Sequence, residues 1–573
     1  MASSAILGVH DGHNAAAALL IDGTVVGAVQ EERFTRIKNQ GDVPHQSITT
    51  LMRFQSEPVR KVALDGLYMV HGGWTRESVI HDYQCAAGRL EEIKQSLKGT
   101  FVDSYYQRTK AERRQKALQR NDLREASLIP VEHHTAHAAA AYYGSGWMQG
   151  KVLVLTCDGS GDRLCATVSV GENGKLERIA EVDENHSIGR LYASITFHLG
   201  MLPLEHEYKV MGLAPYVGRD KAVDEAQLFA DLFEFDPQCP MTWRRRKGVP
   251  PIYAASEFLA QLIRHRRFDY VAAGVQHFTE EMLTQWVRNC VRETGIRRVA
   301  CSGGVFMNVK ANQAILSLPE VEELFVFPSC GDETNSIGAA YWVYTQERLA
   351  RHEPLQMRPV PPLYTGPSFT NDDVEAALRQ PEFRQVECAW KDDIERTTAE
   401  QLAQGRIVAR AKGPMEFGAR ALGNRSILAD PRSPAVIRTI NEMIKGRDFW
   451  MPFAPSVLSE RAYDYYIKPK PMEAPHMIIT FESKPEARHH YPAAQHPYDF
   501  TTRPQEVSAK DNPDYYRLLK EYESLTGQGI ILNTSFNLHG EPIVASPSDA
   551  LSVFVRSGLQ FLALGNAWIT KKN

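Results

Sequence analysis

The sequence predicts an α/β protein of two domains, the first built from two related halves. Three observations predict it. A strand–turn–strand–turn–strand pattern occurs twice, at residues 6–29 and 152–180. A short strand runs into Gly303-Gly304 and then a helix. A proline-rich stretch separates all of this from a further alternation of helices and strands. With 573 residues, 43 % of them hydrophobic, the chain is too long for one ordinary domain and has material for more than one core.

The first copy of the repeat reads ILGVHDGHNAAAALLIDGTVVGAV and the second VLVLTCDGSGDRLCATVSVGENGKLERIA. Each is an apolar strand, an Asp-Gly pair, a second strand, a glycine turn (Asp22-Gly23; Asn173-Gly174) and a third strand. Two unrelated hairpins would leave the same pattern. A duplicated hairpin with an acidic residue at the end of its first strand resembles the actin-like ATPase and sugar-kinase superfamily, which implies two α/β halves facing a nucleotide cleft. Residues 45–125 read as helix-rich, with 74–125 as an insert that could shape a substrate surface. Between 269 and 294, Val275, Phe278, Met282, Trp286 and Cys290 fall on one helical stripe that ends at Gly295. The strand Arg298 to Cys301 then enters Ser302-Gly303-Gly304-Val305-Phe306-Met307-Asn308, where glycines let backbone N–H groups approach a phosphate, although a Gly pair also makes plain turns. Residues 351–368 hold five prolines in 18 positions and read as a linker. The expected domains are therefore 1–350 and 369–573.

The net charge of -4 argues against a dedicated nucleic-acid binder. The basic runs at Arg244 to Lys247 and around Arg113, Arg114 and Lys116 read as solvated faces. Eight scattered cysteines without a CxxC pair fit a reducing compartment and no zinc knuckle. His10 and Asp11 interrupt the first apolar stretch, so it does not read as a signal peptide, and no run is long enough to span a membrane. The expectation is a soluble cytoplasmic protein without membrane or nucleic-acid partners; a homodimer is compatible with it.

The sharpest local signal in the first domain is His133-His134-Thr135-Ala136-His137, running into four alanines. On a helix His133 and His137 share a face and could share a metal, while His134 points elsewhere; surface histidine pairs are also common. Asp158 and Asp332 sit where the two halves would turn carboxylates into the cleft, and two His with carboxylates suit a non-haem iron or a similar divalent ion. Each Asp could equally be a turn or cap residue. Asp11 and His13 lie in the first hairpin turn. A histidine beside a carboxylate can act as a general base on a hydroxyl, but Asp-Gly is also ordinary turn chemistry.

In the second domain MEFGARALGNRSILADPR carries Arg420 and Arg425, IKGRDFW carries Lys445 and Arg447, and TTRPQEV carries Arg503. Five cations from three separated, apolar-flanked segments suggest one anionic pocket.

Several of these segments together resemble one family. Glu31-Glu32-Arg33-Phe34-Thr35-Arg36-x-Lys38, the HHxxH helix, Lys209-Val210-Met211-Gly212-Leu213-Ala214, SGGVFMN, MEFGARALGNR and Leu532 to Asn537 (LNTSFN) look like the O-carbamoyltransferases of antibiotic, toxin and nodulation-factor biosynthesis. The first half is similar to the universal tRNA threonylcarbamoyl-transfer protein, and the second to the threonylcarbamoyl-AMP synthases, a YrdC-like domain. The resemblance implies an actin-like first domain with a metal, usually iron(II), on His133, His137, Asp158 and Asp332, and with Asp11 and His13 facing the acceptor hydroxyl. It implies ATP with magnesium and carbamoyl phosphate on Arg420, Lys445, Arg503 and Asn533; Arg425 and Arg447 belong to that pocket by the convergence of the cationic segments. Lys209, Gly212, Gly303, Gly304 and Asn308 would hold an adenylate in the first domain, and Lys38 is a candidate substrate contact. The implied reaction forms carbamoyl adenylate from ATP and carbamoyl phosphate and passes the carbamoyl group to a hydroxyl of a small natural product. The sequence departs from the pattern at Gly413-Pro414, where Gly-Arg is usual, and at Met451, where an Arg often precedes PFAP. The competing readings are a threonylcarbamoyl-type tRNA-modifying enzyme, an actin-like small-molecule kinase and a non-catalytic nucleotide sensor.

Overall fold

The computed structural model describes residues 5–55, 58–67, 76–85, 108–109, 112, 114–116, 118, 123 and 125–572. It divides into two compact units, one of residues 1–31 and 39–361, the other of residues 32–38 and 362–573. Most of the predicted insert 74–125 lies outside the described residues.

The first unit carries the duplication. Its first half has strands β1 (Ala5–His10), β2 (Ala16–Ile21), β3 (Thr24–Gln30), β4 (Lys61–Asp65) and β5 (Ser127–Val131), in the sheet order β3-β2-β1-β4-β5. The second has β6 (Lys151–Gly161), β7 (Leu164–Glu172), β8 (Lys175–Asp183), β9 (Arg298–Ser302) and β10 (Glu323–Val326), in the order β8-β7-β6-β9-β10. Each is an antiparallel meander whose first strand also pairs in parallel with the later strands. The two sheets share one strand order, so the first unit is duplicated as the repeated hairpin predicts. The turns follow from their residues. Asp22-Gly23 and Asn173-Gly174 have φ of 48° and 79°, and 51° and 81°, the left-handed pair that suits a two-residue hairpin.

One predicted turn moves. Asp158-Gly159 was expected to end the first strand of the second hairpin. Instead β6 continues to Gly161, its ladder bulges between Cys157 and Gly161, and the hairpin closes at Asp162-Arg163 with φ of 48° and 75°. The bulge turns the strand end where Asp158 sits. The predicted helix spans Phe268–Thr294, buries all five stripe residues and ends on Gly295 at φ 70°.

The second unit is built on an eight-stranded mixed sheet. One side of it runs in the order Arg425–Ala429, Ile530–Ser535, Ala454–Leu458 and Gln505–Val507, the last at the sheet edge. Aliphatic and aromatic residues such as Val408, Leu428, Tyr515, Leu518 and Ile531 form its core. The proline-rich stretch does not hang between the units. Arg358 N donates to Gly23 O and Val360 N to Gly144 O, fastening it to the first unit, while Phe417 N donates to Leu363 O and Gly366 N to Met415 O in the second. Residues 32–38 also depart from the expectation of a continuous first domain. Arg33, almost fully buried, donates to Gly418 O at 2.6 Å, and Arg36 to Ile543 O at 2.6 Å and Pro542 O at 2.7 Å. Guanidiniums that satisfy backbone carbonyls of the second unit hold this excursion there.

Candidate functional site

In the first unit the His133–Ser145 helix follows β5. Glu132 caps it, accepting from His134 N and Thr135 N. This N-terminus aims His133 and His137 at the bulged end of β6. His133 Nε2 lies 3.2 Å and His137 Nε2 3.1 Å from Asp158 Oδ2. Asp332 opens the turn before the Asn335–Ala350 helix, with its Oδ1 3.7 Å and 3.6 Å from the same two nitrogens. One donor atom from each of the four residues lies within 4.8 Å of the others. A tetrahedral ion with bonds of about 2.1 Å separates its donors by roughly 3.4 Å, so the donor set and spacing fit a divalent ion. The predicted quartet therefore converges.

Backbone without side chains makes room for it. A Cβ on Gly304 would lie 2.8 Å from Asp158 Oδ1, and one on Gly161 2.1 Å from the His133 ring. Gly303 sits at φ 108°, where a Cβ would lie 2.3 Å from Cys157 O. The glycine pair after β9, read in the sequence as an approach for phosphate, also answers to packing against β6 and Asp158. Asn308 accepts from Ala311 N as a helix cap and pairs with Gln276 at 3.0 Å. Lys209 and Gly212 lie buried on the Glu207–Leu213 helix, which packs against Phe268–Thr294.

The electrostatics are those of mutual pairing. Burial alone would lower the pKa of His133, but Asp65, Asp158 and Asp332 outweigh it and hold it well above the ordinary value. His137 is raised against burial by hydrogen bonds to Asp158 and Asp332. Asp158 is held well below the carboxylate range, against burial, by the two histidines. His134 faces away, with Nδ1 2.8 Å from Thr156 Oγ1, and burial and His133 lower its pKa to about 3.

The β1–β2 turn differs from its expected arrangement. Asp11 is 2 % exposed and lies 2.7 Å from Arg114 Nε, and burial raises its pKa against that cation. Arg114 is therefore no solvated charge: it is buried and also donates to Gly66 O at 2.7 Å. Arg113 lies outside the described residues. His13 is half-buried, and its carbonyl lies 2.9 Å from His10 Nε2. His10, Asp65 and Arg114 were missed as site residues. Asp65 gave a signal, since β4 also ends in an aspartate, as β1 is followed by one.

In the second unit strand register brings the cations to one sheet end. Ser426 pairs with Ser535, Ala454 with Asn533, and Ser456 with Gln505. The segments preceding the strands that start at Arg425, Ala454 and Gln505 therefore meet at the C-terminal end of Ile530–Ser535. They carry Arg420, Lys445 with Arg447, and Arg503. Lys445 is 2 % exposed; its Nζ donates to Asn537 Oδ1 at 2.8 Å and Ser535 Oγ at 3.1 Å. Burial first, then Arg447 and Lys38, push its pKa well below the usual lysine value. Burial first, then Arg420 and Arg447, do the same to Arg503. Arg447 Nη2 also reaches Thr534 Oγ1 at 3.1 Å. Lys38 thus joins the cations through the 32–38 excursion.

Two predicted members differ from the rest. Arg425 is fully buried and donates to Gly413 O at 3.0 Å, Asn424 O at 2.9 Å and Ala545 O at 3.2 Å, so its guanidinium ties loops together. Asn533 Nδ2 is engaged inside the sheet by Ser456 Oγ at 2.9 Å, Gln505 Oε1 at 3.0 Å and Ala421 O at 3.2 Å. Met451 is buried, an apolar residue in the position where an arginine was expected.

Among the described residues no helix is long and apolar enough to cross a membrane. Residues 5–341 match the family Carbamoyltransferase N-terminus and residues 399–571 the family Carbamoyltransferase C-terminus. The chain is 32 % identical to an uncharacterized protein of Synechocystis sp., covering 98 % of this chain and 95 % of that one. It is 31 % identical to nodulation protein NolNO of Sinorhizobium fredii over 98 % of this chain and 79 % of that one. It is 33 % identical to nodulation protein NolO of Bradyrhizobium diazoefficiens over 77 % and 79 %. With both halves matched in order over nearly its whole length, the chain belongs to the carbamoyltransferase family and is a carbamoyltransferase.

Proposed function

We propose that the chain is an ATP-dependent O-carbamoyltransferase that activates carbamoyl phosphate as carbamoyl adenylate and delivers the carbamoyl group to a hydroxyl of a small natural product. One observation carries the activating step: Lys38, Arg420, Lys445, Arg447 and Arg503 gather at one sheet end, where Lys445 has only neutral oxygens as hydrogen-bond acceptors. Such a site favours a polyanion, and ATP with magnesium and carbamoyl phosphate supply the charge. Water takes the phosphate from carbamoyl phosphate, and the carbamate oxygen then displaces pyrophosphate at the α-phosphorus of ATP. The cations bind the phosphates and stabilise the leaving charge.

His133, His137, Asp158 and Asp332 would hold a divalent ion such as iron(II), which when bound supplies Lewis-acid polarisation of the carbamoyl oxygen. His13 takes the acceptor's proton. His10 holds the carbonyl of that turn, and Arg114 neutralises Asp11. The acceptor oxygen forms its bond to the carbamoyl carbon as the bond to AMP breaks. Lys209, Gly212, Gly303, Gly304 and Asn308 are assigned to the adenylate at this second step, and Asn533 to the nucleotide at the first.

Mass spectrometry with ATP, magnesium and carbamoyl phosphate, and no acceptor, tests the activating step. Pyrophosphate and a carbamoyl-AMP peak are expected, both absent when carbamoyl phosphate is omitted. Folded, metal-loaded protein that yields neither would overturn the two-step route.

A further inference from the structure

Asp65, which the proposed reaction does not yet use, is the hub of a buried network that includes His10 and His133. It ends β4 and is 3 % exposed. Its Oδ2 lies 2.6 Å from His10 Nδ1, 3.3 Å from His133 Nδ1 and 3.3 Å from Asn335 Nδ2. Those three groups come from β1, from the first turn of the His133–Ser145 helix and from the start of the Asn335–Ala350 helix. The other oxygen, Oδ1, is buried without a hydrogen-bond partner. A buried carboxylate is costly unless it is paired, so one that gathers three elements around a single oxygen has a reason to be there.

The two faces of His133 show that reason. Nε2 faces Asp158 and Asp332, and Nδ1 faces Asp65. An imidazole that ligates through one nitrogen is fixed in tautomer and rotation when the other donates its hydrogen to a carboxylate. His137 has a weaker backing: its Nδ1 meets the hydroxyl of Ser302 at 3.1 Å. The network also runs the other way. His10 Nε2 lies 2.9 Å from His13 O, and a carbonyl only accepts, so this nitrogen carries a hydrogen while Nδ1 donates to Asp65. One carboxylate therefore sets both the first histidine of the cluster and the backbone of the turn that bears His13.

We infer that Asp65 is the positioning residue of the cluster, fixing His133 with Nε2 presented to the ion and, through His10, fixing the His13 turn. This rests on the metal reading above. The outer-shell partner of a metal-bound histidine is typically worth about 10- to 100-fold in metal affinity.

Cobalt(II) is a suitable probe, titrated against a chelator and followed by its visible absorption, with circular dichroism to check the fold. Asp65→Asn keeps the size and all four ligands but replaces the carboxylate. It is expected to weaken cobalt binding about 10- to 100-fold and to shift the cobalt bands. Should Asp65→Asn fold poorly, Asp65→Glu carries the test: it keeps the charge but displaces the carboxylate by a methylene, and is expected to shift the bands with a smaller loss of affinity. Wild-type affinity and an unchanged spectrum in a folded variant overturn the role of Asp65 while leaving the metal reading intact. Folded wild-type protein that takes up no cobalt overturns the metal reading, and this inference with it.

Discussion

At the histidine–aspartate cluster His133 and His137 face carboxylates within 4 Å, whereas at the cation pocket Lys445 donates only to neutral oxygens of Ser535 and Asn537 and has Lys38 and Arg447 as charged neighbours. Both regions are polar, each combines buried with partly buried groups, and both lie near strand ends. The first balances its charges from within the protein, so its geometry can be set before any ligand arrives. The second brings Arg447 and Lys38 close to the buried ammonium of Lys445, like charges that a bound anion would stabilise. Pre-paired acids and bases suit a site that must hold an ion and a proton acceptor in place. A buried lysine with cations for neighbours suits a site that gathers phosphates.

The strongest test of this contrast is reciprocal. Replacing both His133 and His137 by Ala should reduce bound metal from about one ion per chain to background, since two of four donors disappear. The same variant should still release pyrophosphate. Lys445→Ala should lower pyrophosphate release about 100- to 1000-fold, the usual cost of removing one preorganised charge-stabilising donor, with metal content retained. Loss of both readouts in both variants would collapse the distinction.

Within the second unit, Arg425 sharpens the comparison from the other side. Its guanidinium satisfies carbonyls of Gly413, Asn424 and Ala545 and stacks over Phe369 at 4.8 Å. Arg425→Leu leaves several buried acceptors unpaired and should cost at least about 2 kcal/mol of stability, read as a lower unfolding midpoint. Arg503→Leu should keep the midpoint and instead lose its response to added phosphate. The reverse pattern would return Arg425 to the pocket and make Arg503 structural.

The smallest expected effect is on pH dependence. The folded-state pKa of Lys445 lies well below its unfolded value, chiefly through burial. Between those two values the unfolded chain binds more protons, so Lys445 makes stability rise with pH across that window and penalises the fold in full below it. Measured from about pH 7.5 to about pH 10, where an unperturbed lysine begins to lose its proton, the wild-type midpoint should gain relative to Lys445→Met. Saturating phosphate should flatten that gain, because a bound anion favours the charged ammonium. An identical pH profile for both proteins would mean that the lysine is not electrostatically stressed.

Much of the architecture was legible because it follows local periodicity. Asp22-Gly23 and Asn173-Gly174 need left-handed backbone, and they made the turns expected of them. The stripe from Val275 to Cys290 buried as predicted. His133 and His137 share a face because four residues nearly complete a helical turn, and no tertiary information was needed to see that. The glycines after β9 have a second reason, which local pattern did not show: their backbone must pass the end of β6 and the Asp158 carboxylate.

By itself, then, the sequence determined the strands, the duplicated hairpin, the helical histidine pair and the presence of several cations in the second half. All of these depend on residues close together in the chain. Only the tertiary structure decided which of those cations meet, that residues 32–38 belong with residues 362–573, that Asp11 faces Arg114, and that Asp65 joins His10 to His133. A local pattern fixes the direction of a side chain relative to its own helix or strand. Whether it then finds a carboxylate, a carbonyl or another cation depends on sheet register and on packing between elements far apart in the chain. Arg425 and Lys445 read alike in the sequence and differ for that reason: one ends among backbone carbonyls, the other beside Arg447 and Lys38.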